Sequence, residues 1–313
     1  MVQPYSMNKQ ELEAMLPSCR LLCKTGATAS YIPILQQADP LKLGVALALK
    51  DGRICTAGDY GDFFSIQSII KVLIFACCLL DNDIETVTKK VSVEPTSDSF
   101  NSIKNLELKN NNKPLNPMIN AGAIACMSLV YGTSSKDKVS RILDLIRPMA
   151  GRDDIRVDTD IYRSEKLTGY RNRALAYYMQ STGILASEQD VEELLDAYFQ
   201  ACSISVNCVD LARIGFVLAC NGTDINNSEI LPKQIARVLK ATMMMCGMYN
   251  ESGRVAVRIG LPTKSGVGGG IMSLIPNQMG IGIFGPALND AGSSVAGLAL
   301  LEQISRRLDA SIF

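Results

Sequence analysis

Apolar residues recur at helical spacing from Asn8 to Cys23 and predict a first helix. The pattern then becomes that of strands. Leu43-Gly-Val-Ala-Leu-Ala-Leu-Lys50 and Arg53-Ile-Cys-Thr-Ala57 flank Asp51-Gly52, a dipeptide favoured in tight hairpins because both central residues take positive φ. From about 66 to 246 the helical period returns, with helices expected near 66–80, 119–131, 136–147, 171–183, 187–199, 207–221 and 232–246. Pro and Asn clusters such as Asn110-Asn-Asn-Lys-Pro114 separate some of them. After 254, Val255-Ala-Val-Arg-Ile259, Gly270-Ile-Met-Ser-Leu-Ile275 and Met279-Gly-Ile-Gly-Ile-Phe284 read as strands, the last two joined by Pro276-Asn277-Gln278. Ser293 to Leu308 reads as a closing amphipathic helix.

Two strands from the beginning and three from the end, joined by short turns, predict an α/β (α+β) fold. Its centre is one antiparallel five-stranded sheet with terminal helices on one face. Residues 1–65 and 247–313 would form the sheet part, and 66–246 a mainly helical subdomain inserted into it, within a single unit spanning 1–313.

Composition narrows the chemistry. The 313 residues carry 31 basic and 31 acidic side chains, so no net field invites nucleic acid or an anionic membrane. The N-terminus lacks the layout of a signal peptide, and no apolar run approaches the roughly 20 residues of a membrane span. A cytoplasmic protein is expected. The ten cysteines form no C-x-x-C pair and several sit in apolar stretches such as Cys77-Cys78, which predicts buried thiols rather than a disulfide framework. The chain has no histidine. That excludes Ser-His-Asp and Cys-His nucleophile systems and histidine-ligated zinc, so any acyl transfer must take its base from lysine, tyrosine or a carboxylate.

One lysine stands out on these terms. In Ser65-Ile-Gln-Ser-Ile-Ile-Lys71, followed by Val72 to Leu80, Lys71 heads a run that is apolar nearly all round, so its helix should be buried. Burial disfavours the ammonium and lowers its pKa. Ser68 lies three residues earlier, about one turn away on the same face, where a neutral amine could take the hydroxyl proton. This is the S-x-x-K arrangement of serine acyl-transfer enzymes. A second stretch, Gly260-Leu-Pro-Thr-Lys-Ser-Gly-Val-Gly-Gly-Gly270, is not a P-loop, because Thr263 and not glycine precedes Lys264. Lys264-Ser265-Gly266 fits instead the K-[ST]-G edge strand that accompanies S-x-x-K, supplying positive charge and a backbone amide for an oxyanion hole.

In this order the motifs resemble the penicillin-recognising serine enzyme superfamily. Longer stretches narrow the resemblance: Asn116-Pro-Met-Ile-Asn-Ala-Gly-Ala-Ile124, Arg171-Asn-Arg-Ala-Leu-Ala176, Tyr198-Phe-Gln-Ala-Cys-Ser203 and Gly247-Met-Tyr-Asn-Glu-Ser-Gly253. With the Lys264 segment they are similar to the serine-dependent glutaminase family, from about residue 30 to 301. The resemblance implies a β-lactamase/transpeptidase-like fold, with the active site between sheet and helical subdomain. It implies hydrolysis of L-glutamine by water to L-glutamate and ammonia, no metal or organic cofactor, and a homodimer or homotetramer.

Carried over by motif, the resemblance makes Ser68 the nucleophile, Lys71 its base and Tyr249 a partner in proton transfer. Val267 would supply a backbone N–H to the oxyanion hole beside that of Ser68. Asn120, Glu165, Asn172 and Tyr198 would hold the amino-acid head group, with Lys264, Ser265 and Gly266 in support. The residue types fit: a carboxylate meets the ammonium of free glutamine, and amide and phenol donors meet its α-carboxylate. Without the motifs, Glu165 in Tyr162-Arg-Ser-Glu-Lys166 would read as a solvated charge, Asn120 as a helix cap, Asn172 as a loop residue, and Tyr198 and Tyr249 as core tyrosines. Two positions depart from the family pattern. Ile70 stands where Ser-Ile-Ser-Lys has serine, and Glu94-Pro-Thr-Ser97 replaces Glu-Pro-Ser-Gly. Two other readings share part of the pattern: another serine acyl hydrolase of the β-lactamase superfamily, and a non-catalytic amino-acid sensor or assembly protein.

Overall fold

The computed structural model describes residues 6–30, 32–98, 101–103, 106 and 113–313; the N-terminal pentapeptide and most of the Asn110–Pro114 cluster lie outside them. Strand β1 (Gly44–Leu49) is buried along its whole length. Val45, Leu47 and Leu49 enter one hydrophobic core, and Ala46 and Ala48 enter another, because successive strand side chains point to opposite faces. β1 pairs with β2 (Ile54–Gly58) through a hairpin at Asp51-Gly52, but only Gly52 takes the positive φ expected of both, at 86°, because the turn also includes Lys50 and closes from Gly52 N–H to the Leu49 carbonyl. On its other side it pairs with a strand from the far end of the chain, β7 (Met279–Phe284). A short ladder links β3 (Phe64–Ser65) to β4 (Ser205–Val206). The main sheet continues through β6 (Gly270–Ile275) to β5 (Thr263–Ser265), giving the antiparallel order β2-β1-β7-β6-β5.

One expected strand is a helix. Residues 252–258 form a short helix, and the fifth strand is the three-residue β5. Within Val255-Ala-Val-Arg-Ile259, Val255 and Ile259 are buried while Val257 is 88% exposed. That i, i+4 spacing belongs to a helix; the valines two apart only imitate a strand.

Among the described residues the helices in chain order are α1 (Lys9–Arg20), α2 (Ile70–Asp81), α3 (Ile84–Lys90), α4 (Asn120–Leu129), α5 (Ser135–Ala150) and α6 (Thr159–Thr168). They continue with α7 (Tyr170–Ser181), α8 (Val191–Cys202), α9 (Cys208–Ala219), α10 (Lys233–Cys246), α11 (Ser252–Arg258) and α12 (Val295–Leu308). None is long and apolar enough to cross a membrane. The expected helices are present with shifted ends; α3, α6 and α11 were not expected.

Leu12 and Leu16 of α1 and Leu300, Leu301 and Ile304 of α12 cover one face of the sheet together with Val45, Leu47 and Ile281. On the other face α9 lies directly on β7. A Cβ at Gly280 would stand 2.0 Å from the Ala212 carbonyl oxygen and one at Gly282 2.1 Å from that of Cys208, so only glycine admits this approach. Behind α9 the helical block shares one core that takes in nine of the twelve residues of α2. All ten cysteines are unpaired, and eight of them are buried.

Candidate active site

The chain enters α2 through a tight turn, Gln67–Ile69, in which Gln67 adopts a left-handed φ of 48°. A non-glycine residue there is strained, and such strain is tolerated where surrounding structure imposes it. Here the 266–268 segment does so. A Cβ on Gly266 would lie 2.8 Å from the Ile66 carbonyl oxygen and 3.3 Å from the Ser68 nitrogen, and one on Gly268 2.4 Å from the Ser65 carbonyl oxygen. The Lys-Ser-Gly strand is thus pressed against the turn that presents Ser68. From Phe64 to Leu79 every residue is buried except Ser68, which is half-buried.

Lys71 is fully buried in the first turn of α2. Its Nζ lies 3.0 Å from Ser68 Oγ, donates to Asn120 Oδ1 at 2.6 Å and lies 3.3 Å from the Tyr249 hydroxyl. Burial lowers its pKa to about 8. Tyr249 also has a left-handed φ, 54°, at the start of the turn Tyr249–Glu251 that leads into α11. Burial raises its phenol pKa, while its hydrogen bond with Ser68 opposes the rise. Lys264, fully buried on β5, donates to the Ser265 carbonyl at 2.7 Å, and its Nζ lies 4.0 Å from the centre of the Tyr249 ring. Burial first, and Lys71 second, push the Lys264 pKa well down.

A second group of residues lies beyond Asn120. Asn120 is the first residue of α4 and its amide does not cap that helix; its Nδ2 donates to Asn172 Oδ1 at 2.8 Å. The turn before it is held by Asn116, whose Nδ2 donates to the Glu94 carbonyl at 2.8 Å and whose Oδ1 accepts from Met118 N–H. Glu165 is the only buried residue of α6. Burial raises its pKa to about 7, opposed by hydrogen bonds from Gln67 and Cys202 and by the charge of Lys71. The Gln67 amide donates to its Oε2 at 3.2 Å. Tyr198 on α8 is buried beside them, its phenol held protonated by that burial.

Ser68, Asn120, Glu165, Asn172 and Tyr198 line one narrow cavity of about 90 Å³ together with Gln67, Arg171 and Cys202. A wider recess of about 430 Å³ beside the Asp51-Gly52 hairpin contains none of the nominated residues, and none of its described lining residues is a buried ionisable group. Lys71, Tyr249 and Lys264 stand behind Ser68, outside the cavity's lining. Val267 lies in a separate apolar contact with Ala29 and Leu288. Gln67 and Cys202, not nominated from sequence, are the two side chains that hold Glu165. Gln67 lies inside the Ser65–Lys71 stretch and Cys202 inside the Tyr198–Ser203 motif, but neither residue type announces a partner. Ile70 is fully buried in the large core and does not line the cavity.

Five antiparallel strands with a large helical block, and a Ser-x-x-Lys pair with its lysine buried beside a Lys-Ser-Gly edge strand, define the β-lactamase-like class of folds. Within it, the family model for glutaminases matches residues 26–313. A glutaminase of Clostridium tetani is 50% identical over 308 residues, covering 98% of this chain and all of the relative. A probable glutaminase of Bacillus subtilis superposes with a TM-score of 0.91 at 37% identity, covering 97% of each chain. The covalent complex of Bacillus subtilis glutaminase with 5-oxo-L-norleucine, formed by reaction with 6-diazo-5-oxo-L-norleucine, superposes with a TM-score of 0.89 at 36% identity, covering 97% of this chain and 99% of that one. The chain belongs to the glutaminase family, and it is an enzyme of that class.

Proposed function

We propose that the enzyme hydrolyses L-glutamine to L-glutamate and ammonia through a glutamyl ester on Ser68. The observation that carries this reading is the 3.0 Å approach of a fully buried lysine amine to the one accessible hydroxyl of its segment. With a pKa near 8, about one Lys71 in ten is neutral at pH 7. That amine accepts the Ser68 proton as Oγ attacks the side-chain amide carbon. The oxyanion accepts hydrogen bonds from the backbone N–H groups of Ser68 and Val267, an assignment supported by the close packing of Gly266 and Gly268 on the Ser68 turn. As the C–N bond breaks, the proton passes from Lys71, with Tyr249 bridging at 3.3 Å, to the leaving nitrogen. Water then attacks the ester with the same base, releasing glutamate.

The Glu165 wall supports free glutamine as substrate over a β-lactam or a peptide. Ionised Glu165 pairs with the α-ammonium, and Asn120, Asn172 and Tyr198 take the α-carboxylate. Lys264 holds positive potential behind the Tyr249 ring, and Ser265 and Gly266 keep the edge strand in place. The active site then lies between a sheet part, 1–65 with 247–313, and a helical part, 66–246. The test is ammonia release from L-glutamine by the purified enzyme, followed by mass spectrometry after reaction with 6-diazo-5-oxo-L-norleucine. Ser68→Ala is expected to abolish both turnover and the mass increase; ammonia release by that variant at the wild-type rate would remove Ser68 from the mechanism.

A further inference from the structure

Glu251 is buried two residues after Tyr249 and does not line the substrate cavity. Its carboxylate accepts from Asn289 Nδ2, at 3.2 Å on one oxygen and 3.3 Å on the other. Arg254 Nη1 approaches the same carboxylate at 3.6 Å from an exposed side chain. The rest of the Tyr249 turn is tied by Ser252, whose Oγ accepts from Met248 N–H at 3.2 Å and donates to the Tyr249 carbonyl at 2.9 Å. A left-handed tyrosine backbone is therefore pinned from the following residues, and Glu251 carries that turn to a different segment.

The other segment is a closed loop. Asn289 Oδ1 accepts from the N–H groups of Ala291 and Ser293, both at 3.0 Å, while Asn289 N–H donates to the Ser293 carbonyl at 2.9 Å. One side chain thus both shapes the loop and holds Glu251. The loop in turn touches the edge strand: Ser293 Oγ lies 3.4 Å from Ser265 Oγ, both buried, and a Cβ on Gly292 would stand 3.1 Å from Val267 Cγ1. Leu288, just before the loop, shares the small apolar contact with Val267.

We propose that the Glu251–Asn289 pair is a positioning device for the acyl-transfer step, fixing the Tyr249 turn against the loop that backs Ser265 and Val267. It rests on the roles proposed above for Tyr249 and Val267. Neither residue lines the substrate cavity. The pair sets the distance between the proton-transfer side of the site and the oxyanion side, which a rate depends on more steeply than binding does. The head-group residues lie on α4, α6, α7 and α8, whereas the brace joins the turn before α11 to the loop before α12, so its loss should lower kcat and leave KM in place.

Asn289→Asp places two carboxylates face to face while keeping the acceptor that shapes the loop. Glu251→Gln keeps an acceptor for Asn289. Combined, the two changes restore the contact with its polarity reversed, since the Gln amide donates to the new carboxylate. The expected result is a loss of about tenfold in kcat for Asn289→Asp with KM within about twofold. The double variant is expected to recover to within about threefold of wild type. A double variant no faster than Asn289→Asp, or a single variant with unchanged kcat, overturns the proposal. So does a Asn289→Asp variant in which KM rises as kcat falls, which would mark general unfolding of the site. Alkylation of the wild type by 6-diazo-5-oxo-L-norleucine, with loss of N2, separates the two levels. If Ser68 is not modified, the underlying reading fails; if it is modified and the variants behave as wild type, only this inference fails.

Discussion

The reacting corner around Lys71 and the head-group wall around Glu165 use the same physical device with opposite sign. Both bury an ionisable side chain, and burial disfavours charge in each case. Lys71 is brought down to about 8 and Glu165 up to about 7. The difference lies in the neighbours. Lys71 faces hydrogen-bonding oxygens that tolerate a neutral amine, Ser68 Oγ and the Tyr249 hydroxyl, with Asn120 Oδ1 holding it in place. Glu165 faces a donor, the Gln67 amide, that favours its ionised form. The corner is thus biased to lose its charge for chemistry, and the wall to regain its charge when a cation arrives. Asn120 joins the two, holding Lys71 through its carbonyl and Asn172 through its amide.

The largest effect expected from breaking this pattern is at the corner. Lys71→Met should lower kcat roughly a million-fold, as loss of the base does in serine hydrolases. Stability should not follow, because replacing a buried ionisable group by an apolar side chain of similar length is neutral or favourable. Ammonia-release kinetics and urea unfolding on the same preparation check both halves. A variant that loses activity and stability together would make Lys71 a structural residue first.

The wall should fail differently. Glu165→Gln keeps the shape and an acceptor but removes the charge proposed to meet the α-ammonium, so KM for L-glutamine should rise about fifty-fold with kcat little changed. Steady-state kinetics separate the two parameters. A fall in kcat with unchanged KM would place Glu165 in the chemical step.

pH sharpens the contrast without mutation. The proposed mechanism needs Lys71 neutral and Glu165 ionised, so kcat/KM should rise through about 7 and again through about 8. In the bound complex the substrate ammonium holds Glu165 ionised, so kcat should keep only the rise near 8. In stability the two groups carry opposite signs. A glutamate whose folded pKa is raised binds more protons folded than unfolded between its ordinary value of 4.5 and about 7, so stability falls as pH rises through that window. A lysine whose folded pKa is lowered binds fewer protons folded between about 8 and 10.5, so stability rises there. Unfolding free energies measured across pH should lose the first slope in Glu165→Gln and the second in Lys71→Met.

Much of the corner was legible in the sequence because its chemistry is local. Ser68 and Lys71 are three apart in one apolar run, and Lys264, Ser265 and Gly266 are contiguous. The paired strands were legible for the same reason, since alternation in Val45 to Leu49 and the Asp51-Gly52 turn act over short range. The wall is nonlocal. Glu165 sits on a helix whose other residues are not buried, so no apolar stripe marks that helix or its one inward position. Only the family motifs reached it. The mistaken strand at 255–259 has a related cause: seven residues are too few for a helical period to outweigh two valines spaced like a strand.

Ile70 offers the smallest expected effect and the cleanest check on how local the corner is. It lies between Ser68 and Lys71, where the family pattern has a hydroxyl, yet its side chain is fully buried in the large core and does not line the cavity. Successive helical residues point about 100° apart, so a neighbour of Lys71 in sequence need not share its surroundings. Ile70→Ser should therefore leave kcat and KM within about twofold, while costing about 3 kcal/mol of stability for the emptied volume and the buried hydroxyl. Ammonia release below the unfolding transition and a urea titration measure the two quantities. An increase in kcat of about tenfold or more would mean that the hydroxyl reaches the Ser68–Lys71 pair, and that the corner extends one residue further than its hydrogen bonds indicate.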